Sequence, residues 1–256
     1  MPEHALSLHG WTVVSLRPRG QHAAVRKAAA RLGARVVACA PIAILTLTDD
    51  DARQALATAV ACDIVIATSP NAVAAAQALQ PLQARPAQHW LAVGAGSRNA
   101  LACAGIHAEA PARMDSEGLL AMPVLHDVDG MAIGFVTAPG GRGRIAAVLR
   151  ERGARIQRAD VYQRQPVVIA AACWRRLHKA LADPAHVLLL ASSGEALLGL
   201  LAQAPQQVRP ALCRAAVAVP GERLAGVARD AGFGRVAIAG SPRPTALLRA
   251  AAEAFA

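Results

Sequence analysis

One feature constrains this chain more than any other. Short runs of β-rich apolar residues are each followed by a turn containing Gly, Pro or Ser, then by an Ala/Leu-rich stretch with helical spacing. Thr12–Leu16, Arg35–Ala38, Asp63–Ala67, Trp90–Val93, Met131–Val136, Val187–Leu190, Ala215–Val219 and Val236–Ala239 read as strands. Helices are predicted over Gln21–Leu32 and after most of the other strands, with Gly33, Gly105, Gly153 and Gly232 as C-terminal stops. The strands are continuously apolar rather than alternating. Such strands belong to parallel sheets covered by helices on both faces.

The pattern repeats at long range. LGARV (32–36) is similar to RGARI (152–156), TSPNAVAA (68–75) to ASSGEALL (191–198), and VGAGSRNALACAGI (93–106) to VPGERLAGVARDAGF (219–233). Two stretches break the rhythm, Pro41–Leu47 and Asp160–Val168, and both read as extended. Paired, they form a connector crossed once outward and once back. The predicted fold class is α/β: two similar parallel-sheet, flavodoxin/Rossmann-like, three-layer domains joined by a two-stranded linker. Residues 1–38 with 169–256 form domain 1, 48–159 form domain 2, and 39–47 with 160–168 form the linker. A ligand cleft between the domains is the natural hypothesis.

Composition excludes several function classes. Of the 256 residues 54% are apolar, enough for a sizeable core, and no apolar run spans a membrane. The start Met1-Pro2-Glu3-His4 lacks the features of a signal peptide. The net charge is +10, almost all from arginine, since Lys27 and Lys179 are the only lysines. A positive field favours phosphates or carboxylates as partners. With three Trp, three Phe and one Tyr there is little platform for stacking bases, so no nucleic-acid partner is expected. The cysteines at 39, 62, 103, 173 and 213 are odd in number with no C-x-x-C, which predicts buried free thiols in a reducing cytoplasm. The eight histidines show no metal spacing, and no metal site is expected.

In open parallel sheets, ligands bind where strands end and helices begin. Helix N-termini there present unpaired amides that suit anions. The turns of this chain carry small and hydroxyl residues at those places: Thr68, Ser69, Asn71, Gly94, Ser97, Gly140, Gly141, Ser192, Ser193, Gly194 and Gly221. Singly, each is an ordinary N-cap residue; as a set, they predict anion binding. Gly94-x-Gly96 lacks the rest of a dinucleotide fingerprint, Gly140-Gly141-Arg142-Gly143-Arg144 lacks the Lys-Ser/Thr of a P-loop, and no G-x-S-x-G elbow occurs. Asp115, Glu117, Asp127 and Asp129 read as surface acids or caps, and Ser116 as a helix start. The sole tyrosine, Tyr162, lies on the proposed connector. Its phenol either overhangs the cleft or packs with a wet hydroxyl.

These turns, in order, resemble the uroporphyrinogen-III synthase family. The resemblance is carried by Arg17-Pro18, Leu32-Gly33-Ala34 and Pro41, then by the run Asp63–Val73, the family's most recognisable segment. It continues through Ala92-Val93-Gly94, Ser116-Glu117-Gly118-Leu119-Leu120, and Gly140-Gly141-Arg142 with Gly153-Ala154. Val161-Tyr162-x-Arg164, Ala191-Ser192-Ser193-Gly194, and Glu222-Arg223-Leu224-Ala225 with Gly232-Phe233 complete it. Three positions depart from the family pattern. Leu16 stands where Thr is usual before Arg17, Ser97 stands for Thr, and Pro220-Gly221-Glu222 replaces a turn that often holds Thr.

The resemblance implies two α/β domains with the active site between them. It implies cyclisation of hydroxymethylbilane to uroporphyrinogen III, with loss of water and inversion of ring D, in haem biosynthesis. No cofactor or metal is implied. The substrate is a linear tetrapyrrole polycarboxylate, received from hydroxymethylbilane synthase, and the enzyme is expected to be a cytoplasmic monomer. Tyr162 is the candidate general acid. Arg17, Arg142, Arg164, Ser116 and the hydroxyl and glycine turns above are the candidate substrate-binding groups. A non-catalytic binding protein for a polyanionic small molecule is the competing reading. A nucleotide-sugar transferase would need a nucleotide-binding acid or a spaced Glu pair in the C-terminal half, which is not seen.

Overall fold

A computed structural model of the chain describes residues 6–140 and 143–256. The chain divides into two compact units: residues up to Ala43 together with Gln165–Ala256 (unit 1), and Ile44–Arg164 (unit 2). Among the described residues no helix is long and apolar enough to cross a membrane.

Unit 1 opens with β1 (Thr12–Ser15), α1 (Ala23–Ala30) and β2 (Arg35–Ala38), then the first part of β3 (Ile42–Thr46). Unit 2 continues with α2 (Asp50–Val60), β4 (Ile64–Ala67), α3 (Pro70–Leu79), β5 (His89–Ala92) and α4 (Ala95–Cys103). It is completed by α5 (Ser116–Leu120), β6 (Ala132–Thr137), α6 (Arg144–Glu151), β7 (Arg155–Asp160) and the first part of β8 (Tyr162–Pro166). The chain then returns to unit 1 with α7 (Ala171–Ala180), β9 (Val187–Leu190), α8 (Gly194–Gln203), α9 (Arg209–Arg214), β10 (Ala216–Val219), α10 (Glu222–Asp230), β11 (Arg235–Ile238) and α11 (Pro244–Phe255).

Both main sheets are parallel, as continuous apolar strands demand. Unit 1 has the order β11-β10-β9-β1-β2 and unit 2 the order β5-β4-β6-β7. Both orders are the doubly wound 2-1-3-4 arrangement, with a fifth strand only in unit 1. Each sheet is covered on two sides. In β4, Val65 and Ala67 pack with α2 and α3, while Ile64 and Ile66 pack with Leu119, Leu120 and Leu149 of α5 and α6. In β1, Val14 faces Leu177, Leu197 and Leu224, and Val13 faces Val25, Leu247 and Leu248. Each such valine, leucine or isoleucine contributes about 1.5–3 kcal/mol when fully buried. The stops are where the sequence puts them: Gly33 and Gly153 end their helices with φ of +75° and +85°, a left-handed backbone that glycine adopts without strain.

The two irregular stretches do pair. β3 and β8 form a two-stranded sheet. Hydrogen bonds from Leu47 N to Val161 O and from Val167 N to Pro41 O make it antiparallel. The helices α2, α7 and α9 and the strand β7 lie in stretches that the strand–helix rhythm leaves unassigned. β7 reads RIQRAD with four charged or amide side chains because it is an edge strand with one solvated flank. The three repeated segments do not occupy equivalent strand positions: TSPNAVAA follows β4, the first strand of its unit, whereas ASSGEALL follows β9, the third of its own. The repetition is one of turn chemistry rather than of place.

The cysteine expectation is corrected. Cys39 and Cys173 form a disulfide across 134 residues of sequence, and Cys103 is exposed; Cys62 is buried and Cys213 partly buried. Cys39 follows β2 and Cys173 lies in the first turn of α7, and both sit in the same apolar layer of unit 1. Sequence spacing carries no information about that proximity. The cysteines therefore supply no argument for a reducing compartment.

Candidate active site

In a doubly wound sheet the ligand crevice lies beyond the strand ends where the order reverses. In unit 2 that point is between β4 and β6. Both strands end there in threonine or the residue before one: Thr68 follows β4, and Thr137 closes β6. Thr68 Oγ1 donates to Thr137 Oγ1 at 2.8 Å and ties the two strand ends together. A cavity of about 440 Å³ opens beside this pair, within the range of small-molecule sites.

The residue that caps α3 lines it. Ser69 is the N-cap, and its Oγ accepts from Ala72 N at 3.1 Å, with Pro70 at the first helical position. The same oxygen lies 3.1 Å from the phenolic oxygen of Tyr162, the first residue of β8. Tyr162 is only 2% exposed: it belongs to the apolar cluster that includes Leu56, Ala59, Ala67 and Val136, and it lines the cavity together with Ser69 and Arg164. The Arg164 guanidinium lies over that ring at 5.8 Å and Nη2 donates to the phenolic oxygen at 3.5 Å. The sequence leaves open whether Tyr162 serves packing or chemistry; in the structure it is part of the apolar cluster and its hydroxyl bonds two residues that line the cavity.

Among the described residues three arginines line the cavity. Arg144 pairs with Glu117 at 3.2 Å. Arg158 pairs with Asp160 at 2.8 Å and donates to Ala138 O at 2.7 Å. Arg164 has the phenol as its partner. Asp115, also at the cavity, caps α5 by accepting from Gly118 N at 2.8 Å. That bond, with Arg113 alongside, holds its carboxyl below the usual carboxylate range. Asp115 and Glu117 are thus a cap and an ion-pair partner, as the sequence suggests.

Of the sequence-predicted residues, Thr68, Ser69, Ser116, Gly140, Tyr162 and Arg164 line this cavity together. Gly141 and Arg142 lie outside the described residues. Asn71 sits in the first turn of α3 and Gly94 caps α4, and neither lines the cavity. Ser97 lies inside the first turn of α4 and is 3% exposed. Its hydroxyl is therefore turned into unit 2. Thr137, Arg144 and Arg158 line the cavity and escape the sequence reading. Thr137 has a usable signal in its place at the end of a strand before Ala138-Pro139-Gly140. Arg158 has none, because β7 does not read as a strand.

Unit 1 holds the remaining candidates. Its order reverses between β1 and β9. Arg17 follows β1, is partly buried, and Nη2 donates to Pro242 O at 2.5 Å; burial pushes its pKa down. Ser192 and Ser193 follow β9; Ser193 is the N-cap of α8 and makes no side-chain cap bond, and Gly194 opens that helix. Gly221 caps α10 in an extended conformation, with φ of −179°. Among the described residues no cluster of three or more His, Cys, Asp and Glu is placed to hold a metal ion.

Comparison with known proteins agrees with this architecture. The family model described as "Uroporphyrinogen-III synthase HemD" matches residues 23–249. The uroporphyrinogen-III synthase of Salmonella typhimurium strain LT2 is 32% identical over 203 residues, covering 76% of this chain and 80% of that one. The fold is similar to a crystal structure of mutant uroporphyrinogen III synthase from Thermus thermophilus, with a TM-score of 0.61, 21% identity, and 95% and 98% of the two chains covered. It is also similar to uroporphyrinogen-III synthetase from Helicobacter pylori 26695, with a TM-score of 0.60, 13% identity, and 95% and 99% coverage. By the family model and the Salmonella relative, this chain belongs to the uroporphyrinogen-III synthase family.

Proposed function

We propose that this enzyme cyclises hydroxymethylbilane to uroporphyrinogen III, and that the unit 2 cavity holds the reacting end of the chain. The observation that supports this most directly is Tyr162, buried to 2% exposure yet lining the cavity, with its hydroxyl held by two other lining residues, Ser69 and Arg164. The linear substrate carries eight carboxylates and closes unaided to the wrong isomer. The enzyme's first task is therefore positioning, which holds ring D so that it attacks through its substituted carbon. Arg144, Arg158 and Arg164 bring guanidinium donors for carboxylates to the cavity, the first two already ion-paired with Glu117 and Asp160. The Tyr162 hydroxyl donates its proton to the departing hydroxyl, which leaves as water. The azafulvene-like cation is attacked by the substituted carbon of ring D to give a spiro intermediate; the bond from that carbon to the ring C methylene then breaks, and the freed methylene closes on the unsubstituted α-carbon of ring D, which loses its proton.

In unit 1, Arg17 and the turns at Ser192-Ser193-Gly194 and Gly221 supply further donors for carboxylates. The departures from the family pattern at Ser97 and Gly221 are tolerable because backbone amides, not side-chain hydroxyls, carry that binding. The reading also includes handover of the substrate from hydroxymethylbilane synthase, a monomeric state and a cytoplasmic location. Incubation with freshly made hydroxymethylbilane, followed by separation of the isomers, tests the activity. Isomer III is expected in excess of isomer I. Isomer I alone would return the chain to the reading of a polyanion-binding protein without chemistry.

A further inference from the structure

The phenol of Tyr162 has two neighbours whose bonding capacities differ. The guanidinium of Arg164 can only donate. A serine hydroxyl donates one proton and accepts at its lone pairs. Ser69 Oγ already accepts from Ala72 N at 3.1 Å. The contact of Ser69 Oγ with the phenol at 3.1 Å therefore has two arrangements. In one, Tyr162 donates to Ser69, and the phenolic proton is withheld from the cavity. In the other, Ser69 donates to Tyr162, whose oxygen then accepts from both Ser69 and Arg164 Nη2. Its own proton must then point to an acceptor in the cavity.

We infer that Ser69 and Arg164 are a positioning pair that turns the Tyr162 proton toward the substrate and holds the phenolate left behind. The inference rests on the reading of Tyr162 as the proton donor. A substrate hydroxyl in the cavity is the acceptor that selects the second arrangement. The phenolic O–H bond then breaks as the proton passes to the hydroxymethyl oxygen, and the carbon–oxygen bond breaks as water leaves. The negative charge stays on the phenolic oxygen, facing one charged and one neutral donor. Both bonds strengthen as that charge grows, so they act on the transition state more than on the bound substrate. The final closure removes one proton from the unsubstituted α-carbon of ring D. This proton restores the phenol, and the net change is one water lost. Ser69 also caps α3, so a single oxygen sets the helix start and the phenol together.

The test is a set of variants read by isomer-resolved kinetics. Ser69→Ala is expected to lower kcat about tenfold with KM within about twofold, a part of the 10²–10⁴ that general acid catalysis supplies. Ser69→Thr keeps both the cap and the hydroxyl and is expected to restore most of the turnover. Arg164→Met covers the case in which loss of the cap unfolds unit 2, since Arg164 is exposed and caps nothing. It too should lower kcat, separately from any rise in KM owed to its part in binding carboxylates. In a Tyr162→Phe background neither change should lower kcat by more than about twofold further, because the group they act through is gone. Undiminished penalties in that background would overturn the pairing, as would a change in KM alone or a wild-type kcat for Ser69→Ala. Each of those results leaves the Tyr162 assignment standing. A wild-type kcat for Tyr162→Phe overturns that assignment and the pair with it, and absence of isomer III from the wild-type protein overturns the activity itself.

Discussion

Units 1 and 2 share a strand order yet treat the point where it reverses differently. In unit 2 the hydroxyls at the ends of β4 and β6 meet each other and line a cavity, with Tyr162 brought in from β8. In unit 1 the positions that match Thr68 and Thr137 by register are Leu16 and Ala191, both buried, and the neighbouring hydroxyl of Ser15 is fully buried and lies 2.9 Å from His22 Nδ1. Arg17 is folded onto Pro242 O. The serine caps differ in the same way: Ser69 bonds both its helix and the phenol, whereas Ser193 makes no side-chain cap bond. One sheet order thus serves two tasks, and the task is decided by the side chains at the reversal rather than by the fold.

The sharpest break of this contrast is at Gly134 in β6. A Cβ there would lie 1.9 Å from Ala59 O of α2, a backbone atom that has nowhere to go. Gly134→Ala should destabilise unit 2 by upwards of about 3 kcal/mol. Thermal melting that shows one unit lost early and the other retained would bear this out; an unchanged melt would mean that α2 does not press on β6 as described.

The next effect belongs to unit 1. Reducing the Cys39–Cys173 bond, or replacing either residue with Ser, should cost about 3 kcal/mol, because the closed loop constrains the unfolded chain. Thiol titration of the denatured, unreduced protein should count the three free cysteines, 62, 103 and 213, against five after reduction. Five without reductant would remove the bond.

Tyr162→Phe comes third, with turnover lowered about 100-fold, or about 2.7 kcal/mol, and the melting profile nearly unchanged. Wild-type turnover would mean that the contrast between the two reversal points has no catalytic content.

A smaller effect depends on pH. His22 is held below its ordinary value of 6.5, by burial first and then by Arg26 and Arg17. The unfolded chain then binds a proton that the folded chain refuses. Stability from this group is present above 6.5 and is lost as pH falls from 6.5 through the lowered folded value. His22→Gln should flatten that slope in denaturant titrations; an identical slope would assign it to other groups. The smallest effect is expected at Gly221. Its backbone is extended and nothing lies within 4 Å of an added Cβ. Gly221→Ala should alter stability by less than about 0.5 kcal/mol and leave turnover near wild type if the amides do the binding.

Much of the frame is legible in the sequence. IVIA, VLLL and AVAV are continuous apolar strands, and Gly33 and Gly153 end helices by left-handed geometry. The helix α2 carries its own start signal, since Asp49 accepts from Ala52 N and two more acids follow in the first turn. The rhythm of strand, turn and helix misses it because the extended stretch before it belongs to the connector and to neither main sheet. β7 is hidden for a different reason: an edge strand buries one flank and keeps charges on the other, so its apolar signal is diluted.

The sequence by itself determined most of the local events: the positions of the apolar strands and of the helices that follow them, the parallel character of the sheets, and which turns carry small and hydroxyl residues. These depend on neighbours within a few positions, through backbone preference and burial period. Tertiary structure alone decided which turns share a cavity, that Ser97 is turned inward, that Tyr162 meets Ser69 from 93 residues away, and that Cys39 meets Cys173 across 134. Those outcomes follow from strand order and sheet twist, which set distances between residues whose separation along the chain says nothing about them.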